Sequence, residues 1–366
     1  MDTYSQEQRH FLWLSESLGS ASQALDRVLA LFGSPEPVWE EPESFSPFMQ
    51  PAQYKRLMDN HSEAWIDDRL DQVESCGARV IFSGDPDYPV LLARIPDPPS
   101  LLYVRGSLPA DMARAVGIVG TRRPSRDGVK TARELAHDVS DAGVTVVSGL
   151  ARGIDAAAHE GAMLGQTGTL AVLGFGVDIR QPAENAGMFD LIVSKGGALV
   201  SEYPPGTAPF AGNFVRRNRI ISGLSQGTVL VEGAEDSGAM ITLKDAQKQG
   251  RVRFAVPGSI YQINSTAPNA LLKDGALCVT CASDILSRFG WDRAGGAADA
   301  PGKKPRPTLA GLQGKIYDLL EIEDMGFSEL AEAAGQDAAT LSAELTMMEI
   351  EGYITALPGN VYRIAT

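Results

Sequence analysis

Six short apolar or β-branched segments, several ending at glycine and most separated by helical patterns, constrain this chain more than any other feature. They are Ala115–Val119, Val144–Ser148, Leu170–Leu173, Ala198–Ser201, Thr228–Glu232 and Arg253–Val256. Arg126–Ala142 and Ile154–Gly165 are examples of the helical patterns between them. Continuous apolar strands alternating with helices predict a parallel sheet covered on both faces, hence an α/β, Rossmann-like core. Ligands of such sheets bind outside the carboxyl ends of the strands.

The flanks follow other plans. Residues 1–75 read as a helical domain of the SAM-like kind. Leu25, Val28, Leu29 and Phe32 recur at helical spacing until Gly33-Ser34-Pro35 stops them. A proline-rich break covers Pro42 to Pro51, and Ala64–Cys76 reads as a second amphipathic helix. After the short apolar run Val80-Ile81-Phe82, the Asp85–Pro89 and Pro96–Pro99 stretches read as a loop-rich lead-in. The Rossmann-like domain is expected over 76–292 and a Gly/Ala/Pro/Lys linker over 293–307. The last block, 308–366, reads as helices at Ala310–Leu320, Phe327–Gly335 and Asp337–Glu351. Strands Tyr353–Leu357 and Val361–Ile364 follow, about a Pro358-Gly359-Asn360 turn. That is the plan of a winged helix. Its third helix carries Asp337, Glu344, Glu349 and Glu351 and no basic residue, so it suits protein contact better than phosphate. Leu341, Leu345 and Met348 are its core stripe.

Bulk properties narrow the function. No apolar run reaches the roughly 18 residues of a membrane span, and Met1–Leu14 lacks the order of a signal peptide, so a cytoplasmic protein is expected. Cys76, Cys278 and Cys281 make no disulfide framework, and the single C-x-x-C lacks a second pair for zinc; they are expected as small buried side chains. No metal or cofactor is expected. The net charge of −14 opposes general binding to nucleic acid, so any such site must be a local basic patch.

Four turns at the strand ends offer such a patch. Gly120-Thr121-Arg122-Arg123 ends the first strand and feeds a helix N-terminus, where backbone N–H groups and arginine forks favour an anion. Gly149, Arg152 and Gly153 share the second turn, with Asp155 as a cap. His159, on the same helix face, is a packed histidine rather than half of an acid–base pair, because no nucleophile stands beside it in sequence. The densest cationic spot is Phe214-Val215-Arg216-Arg217-Asn218-Arg219. Arginine matches phosphate, asparagine reads base edges and an aromatic ring stacks on bases. A pairing of Arg217 or Arg219 with Glu202 or Glu232 would use one of these arginines and leave the others for a ligand. Ser237 and Gly238 open a further turn, before a helix bearing Lys244. Neither a P-loop nor a dinucleotide fingerprint is present.

These residues, in this order, resemble the DNA-processing protein A (DprA/Smf) family. The matching pieces are V-G-T-R-R-P-S at Val119–Ser125, V-S-G-L-A-R-G-I-D-A-A-A-H at Val147–His159, S-E-Y-P-P-G-T at Ser201–Thr207, R-N-R-I-I-S-G-L-S at Arg217–Ser225 and S-G-A-M-I-T at Ser237–Thr242. Ala255–Gly258, Asn269 and Asp274–Ala276 complete them, and together they span about residues 77–285. Val215, Gln181-Pro182 and Ala267 depart from the family pattern and leave the arginine cluster intact. The resemblance implies a non-catalytic protein that binds single-stranded DNA, usually as a homodimer. It implies loading of a RecA-type recombinase onto strands covered by single-strand-binding protein, in DNA uptake, natural transformation and recombination. Carried onto this chain, the DNA-contacting positions are Arg122, Phe214, Arg217, Asn218 and Arg219, with Lys244 as an addition. Two other readings compete: a nucleotide-processing enzyme of the phosphoribohydrolase type, using Glu202 or Glu232 although its P-G-G-x-G-T-x-x-E signature is missing, and a protein-only adaptor.

Overall fold

The computed structural model describes residues 4–19, 23–109, 111–293, 309, 311–322, 325–351, 353–357 and 360–364. The expected linker lies outside these but for Arg293, as do Pro358 and Gly359 of the expected turn. The chain divides into two compact units, Met1–Ala294 and Gly295–Thr366.

The first unit begins with helices α1 (Gln6–Leu18), α2 (Gln23–Phe32), α3 (Glu36–Glu40), α4 (Pro51–Asp59) and α5 (Glu63–Ser75). Trp13, Leu14, Leu18, Leu25, Val28, Leu57 and Ile66 close into a core of their own. Helix α1 also reaches the sheet. Leu12 packs in a cluster with Tyr103 and Leu199, and the Tyr103 hydroxyl donates to Glu16 Oε1 at 2.6 Å.

The rest of this unit is one sheet and its helices. Its elements run β1 (Ala78–Phe82), α6 (Val90–Ala93), β2 (Leu101–Gly106), β3 (Ala115–Val119), α7 (Arg126–Asp141), β4 (Thr145–Ser148), α8 (Ile154–Ala162) and β5 (Thr169–Leu173). They continue as α9 (Ala186–Ser194), β6 (Ala198–Ser201), α10 (Ala211–Gly223), β7 (Gly227–Leu230), α11 (Ala239–Lys248), β8 (Val252–Ala255), α12 (Thr266–Lys273), β9 (Leu277–Cys278) and α13 (Ala282–Phe289). The nine strands lie in the order β1-β2-β6-β5-β4-β3-β7-β8-β9. All neighbours are parallel except β1 with β2 and β2 with β6.

Alternation along β3 shows why the sheet is double-covered. Val116 and Ile118 face Leu135, Ala136, Ile154 and Ile285 on one side. Ala115 and Val119 face Ile220, Leu224 and Leu243 on the other. Both faces are apolar, so the strand reads as an unbroken apolar run. The cysteines depart from expectation: Cys278 is exposed, and Cys76 and Cys281 are only half-buried. Strand β9 is two residues long at the sheet edge, too short to be covered.

The second unit carries α14 (Gly311–Ile322), β10 (Met325–Gly326), α15 (Phe327–Ala334), α16 (Ala338–Ile350), β11 (Ile354–Leu357) and β12 (Val361–Ile364), with an antiparallel sheet in the order β10-β12-β11. Leu341, Leu345 and Met348 are buried against Ile316, Leu320 and Leu330. Asp337 caps α16, its carboxylate accepting from the N–H groups of Ala339 and Thr340.

Candidate nucleic-acid interface

The strand order turns at β3. From there the chain steps through β4, β5 and β6 toward one edge, then crosses back to β7 and continues to β9 at the other. Loops leaving the carboxyl ends diverge at such a point and leave a crevice. A cleft of about 860 Å³ opens there, walled by the turn after β3, the outer face of α10 and the turn before α11.

Close backbone approach shapes the first wall. A Cβ on Gly120 would stand 2.6 Å from the Ile154 side chain and 2.8 Å from the Glu232 carbonyl. Thr121 is pinned on both sides, its N–H donating to Glu232 O at 2.8 Å and its carbonyl accepting from Ile154 N at 3.2 Å. The next two side chains, Arg122 and Arg123, are exposed on the cleft rim and make no ion pair among the described residues. The Arg122 guanidinium lies 5.9 Å from the centre of the Phe214 ring, at cation–π distance. Phe214 in turn packs edge-on against Phe175.

The floor holds an internal anion. Asp155 is buried at the cleft base, and its carboxylate takes backbone hydrogen bonds at Ala151, Gly149 and Gly120. The N–H groups of the second turn therefore serve this carboxylate, which does not cap α8 as expected: the N-cap is Gly153. Burial raises the Asp155 pKa, against the pull of Arg217 and those N–H groups. Arg217 is buried beside it and donates to the carbonyls of Gly149, at 2.8 Å, and of Val172. Burial lowers its pKa to about 10, Asp155 opposing and Arg122 adding to the shift. A Cβ on Gly149 would meet the Arg217 guanidinium at 2.5 Å, so this turn and this arginine fit only with glycine.

The turn itself is strained and clamped. Leu150 sits at φ 52°, a left-handed conformation that costs a branched residue roughly 1–3 kcal/mol. Its N–H donates to His159 Nε2 at 3.2 Å, and Asn185 Nδ2 donates to the carbonyls of Leu150 and Ala151 at 3.0 and 3.2 Å. Thr169 Oγ1 gives its proton to Val146 O, so His159 Nδ1–H donates to Thr169 and Nε2 accepts. This is a neutral imidazole, and burial holds its pKa down to about 3, with Arg217 contributing.

The other arginines of the R-R-N-R run point elsewhere. Arg219 is buried, donating to Glu202 Oε1 at 2.7 Å and to Asp97 Oδ2 at 3.0 Å. Arg216 lies 3.4 Å from Asp97 and 3.7 Å from Glu202. Glu202 is fully buried, and burial raises its pKa against Arg219 and Arg216. Among the described residues Glu232 pairs with no arginine. Its carboxylate accepts from Ser125 N, at 2.9 Å, and Ser125 Oγ, at the start of α7.

Of the sequence-derived positions, the cleft brings together Gly120, Thr121, Arg122, Arg123, Phe214, Arg217, Asn218, Ser237 and Gly238. Gly149 backs it, and Gly153 caps α8 at φ 82°. Arg152 pairs with Glu184 at 2.7 Å, Lys244 is exposed on α11, and neither these nor Arg219 lines the cleft. Sequence reasoning missed Asp236, Ile263 and Asn264 as cleft residues. Asn264 arrives through long-range bonds, Gly233 N to its carbonyl at 2.6 Å and its Nδ2 to Arg123 O at 3.0 Å, which no local pattern announces.

Comparison with known proteins places this architecture. The family model described as DNA recombination-mediator protein A matches residues 79–290, and a DprA winged-helix model matches residues 300–360. The chain belongs to the DNA recombination-mediator protein A family. Protein Smf of Escherichia coli (strain K12) is 36% identical over 309 residues, 82% of this chain and 81% of that protein. The X-ray structure of DNA processing protein A from Streptococcus pneumoniae superposes with a TM-score of 0.66 at 31% identity, over 76% of this chain and 97% of that one. DNA processing protein A from Helicobacter pylori, whose structure describes a single-stranded DNA binding mode, matches with a TM-score of 0.52 at 26% identity, over 59% of this chain and 96% of that one. Among the described residues no helix is long and apolar enough to cross a membrane, and no group of three or more His, Cys, Asp and Glu side chains could hold a metal ion.

Proposed function

We propose that this member of the recombination-mediator family binds single-stranded DNA in the cleft at the β3/β7 switch point. The observation that carries the reading is the rim: two exposed arginines that pair with no acid among the described residues, one of them over the Phe214 ring, at the carboxyl ends of a Rossmann-like sheet. Arg122 and Arg123 neutralise phosphates, Phe214 offers a face to a base and Asn218 offers an amide. Arg217, buried and bonded to the carbonyls of Gly149 and Val172, shapes the floor, while Arg219 and Lys244 stand outside the contact set. In the wider reading the protein works in the cytoplasm as a homodimer. It loads a RecA-type recombinase onto strands held by single-strand-binding protein during DNA uptake and recombination. Family membership supports that part.

The enzyme reading gains nothing from the geometry. Glu202 is locked by Arg219 and Glu232 is spent on the start of α7. Fluorescence anisotropy of a labelled single strand across a salt series tests the binding proposal. Neutralising two phosphates predicts a slope of about −1.4 in log K against log salt. Absence of single-strand binding at low salt overturns it.

A further inference from the structure

We propose that the loop from Gly258 to Ser265 is a second base-stacking lip, on which Tyr261, flanked by Ile260 and Ile263, receives nucleobases of the strand as it leaves the cleft. The inference rests on the single-strand reading above and extends it to residues outside the arginine turns.

Ile260, Tyr261 and Ile263 are 80%, 92% and 74% exposed. Scattered apolar side chains on a surface are ordinary, but three within four residues form a patch. This patch is not a loose end. Asn269 clamps Gly258 from both sides, its Oδ1 accepting from Gly258 N at 3.2 Å and its Nδ2 donating to Gly258 O at 2.9 Å. Gln262 N donates to Ser259 O, Ser265 N to Gln262 O, and Thr266 Oγ1 to Ile263 O. Through Asn264 the loop is tied to the Arg123 carbonyl and to Gly233 N, both on cleft-forming turns. A backbone so fixed holds these three side chains in water at a cost that folding does not recover.

Location and chemistry name the occupant. The loop leaves the carboxyl end of β8, and its Ile263 and Asn264 line the same cleft as Arg122 and Phe214. Residues 258–265 carry no charged side chain, so the loop offers apolar faces and amides and nothing for phosphate. The backbone of a strand would stay on the arginine rim while its bases turn to the loop. Phe210 and Val215, 67% and 50% exposed about the start of α10, extend the apolar surface beside Phe214.

The test uses the full chain and two probes: an anisotropy-labelled oligothymidylate, and the same strand carrying 5-iodouracil for photocrosslinking with peptide mapping. Sedimentation velocity runs alongside. We expect a crosslink at Tyr261. Tyr261→Ala should weaken binding about 5- to 150-fold, the range of one aromatic–base stack. Tyr261→Phe should restore it, with sedimentation unchanged. If Tyr261→Ala binds like the natural protein and no crosslink falls in 258–265, the lip is wrong; Arg122→Ala, weakened in the same assay, would show that the cleft reading still stands. A Tyr261→Ala variant that instead changes sedimentation makes the loop a protein contact and also overturns the proposal. If the natural protein binds no strand, both readings fall together.

Discussion

Arg217 leaves α10 in a different direction from Arg216 and Arg219, because a helix turns about 100° per residue and only the last two, three positions apart, share a face. Sequence density alone made them one cationic patch. In three dimensions Arg217 is a buried brace between the carbonyls of Gly149 and Val172, and Arg219 belongs to Glu202 and Asp97. A double alanine variant at 217 and 219 would therefore test folding before it tested binding. Arg122 and Phe214 were legible as site residues because a glycine turn at a strand end and an aromatic beside arginines are local signals. Their contact with each other was not. His159 carries its own test. It is neutral in the folded state with a pKa near 3 and titrates near 6.5 when unfolded. The unfolded chain then binds the proton first, so the contribution is complete above pH 6.5 and is lost as pH falls from 6.5 toward 3. Chemical denaturation should show a loss of about 2 kcal/mol from this group between pH 7 and 5. His159→Gln should remove that part of the slope. An unchanged slope would contradict the neutral-imidazole assignment.

Strands of the central parallel run declared themselves in the sequence, and the buried antiparallel β2 did not. Strands β3 to β8 appear as apolar runs of four or five residues because helices cover both sides. Strand β2, Leu101–Gly106, follows a proline-rich stretch and was hidden in what reads as a loop-rich lead-in; it pairs antiparallel with β6. The lead-in has a purpose that appears only in the fold. Its Asp97 joins Glu202, Arg216 and Arg219 in one charge network that fixes α10 beside the sheet. Removing one member leaves buried charge without its partner. Glu202→Ala should thus cost about 3–5 kcal/mol in a urea melt. Arg122→Ala, exposed and unpaired, should stay within about 0.5 kcal/mol of the natural protein. If Glu202→Ala melts normally, the network is not what holds the helix.

For the whole molecule, the charge of −14 is compatible with the proposed binding of a polyanion because Arg122 and Arg123 supply positive charge locally at the cleft rim. The rim of the cleft is cationic, while α16 of the second unit bears only acidic charges among its ionisable side chains and keeps its apolar stripe inside. Composition showed the need for a local patch, the motifs named its segments, and the strand-order reversal at β3 assembled them. Affinity for a labelled single strand at one fixed salt concentration tests this account most directly, with the natural protein, Arg122→Ala/Phe214→Ala and Lys244→Ala side by side and a duplex as control. Losing a phosphate contact and a stack together should weaken single-strand binding by about 2–4 kcal/mol, thirtyfold to a thousandfold. Lys244→Ala, outside the cleft, should bind like the natural protein. If Arg122→Ala/Phe214→Ala binds as tightly as the natural protein, the cleft at the switch point is not the DNA site.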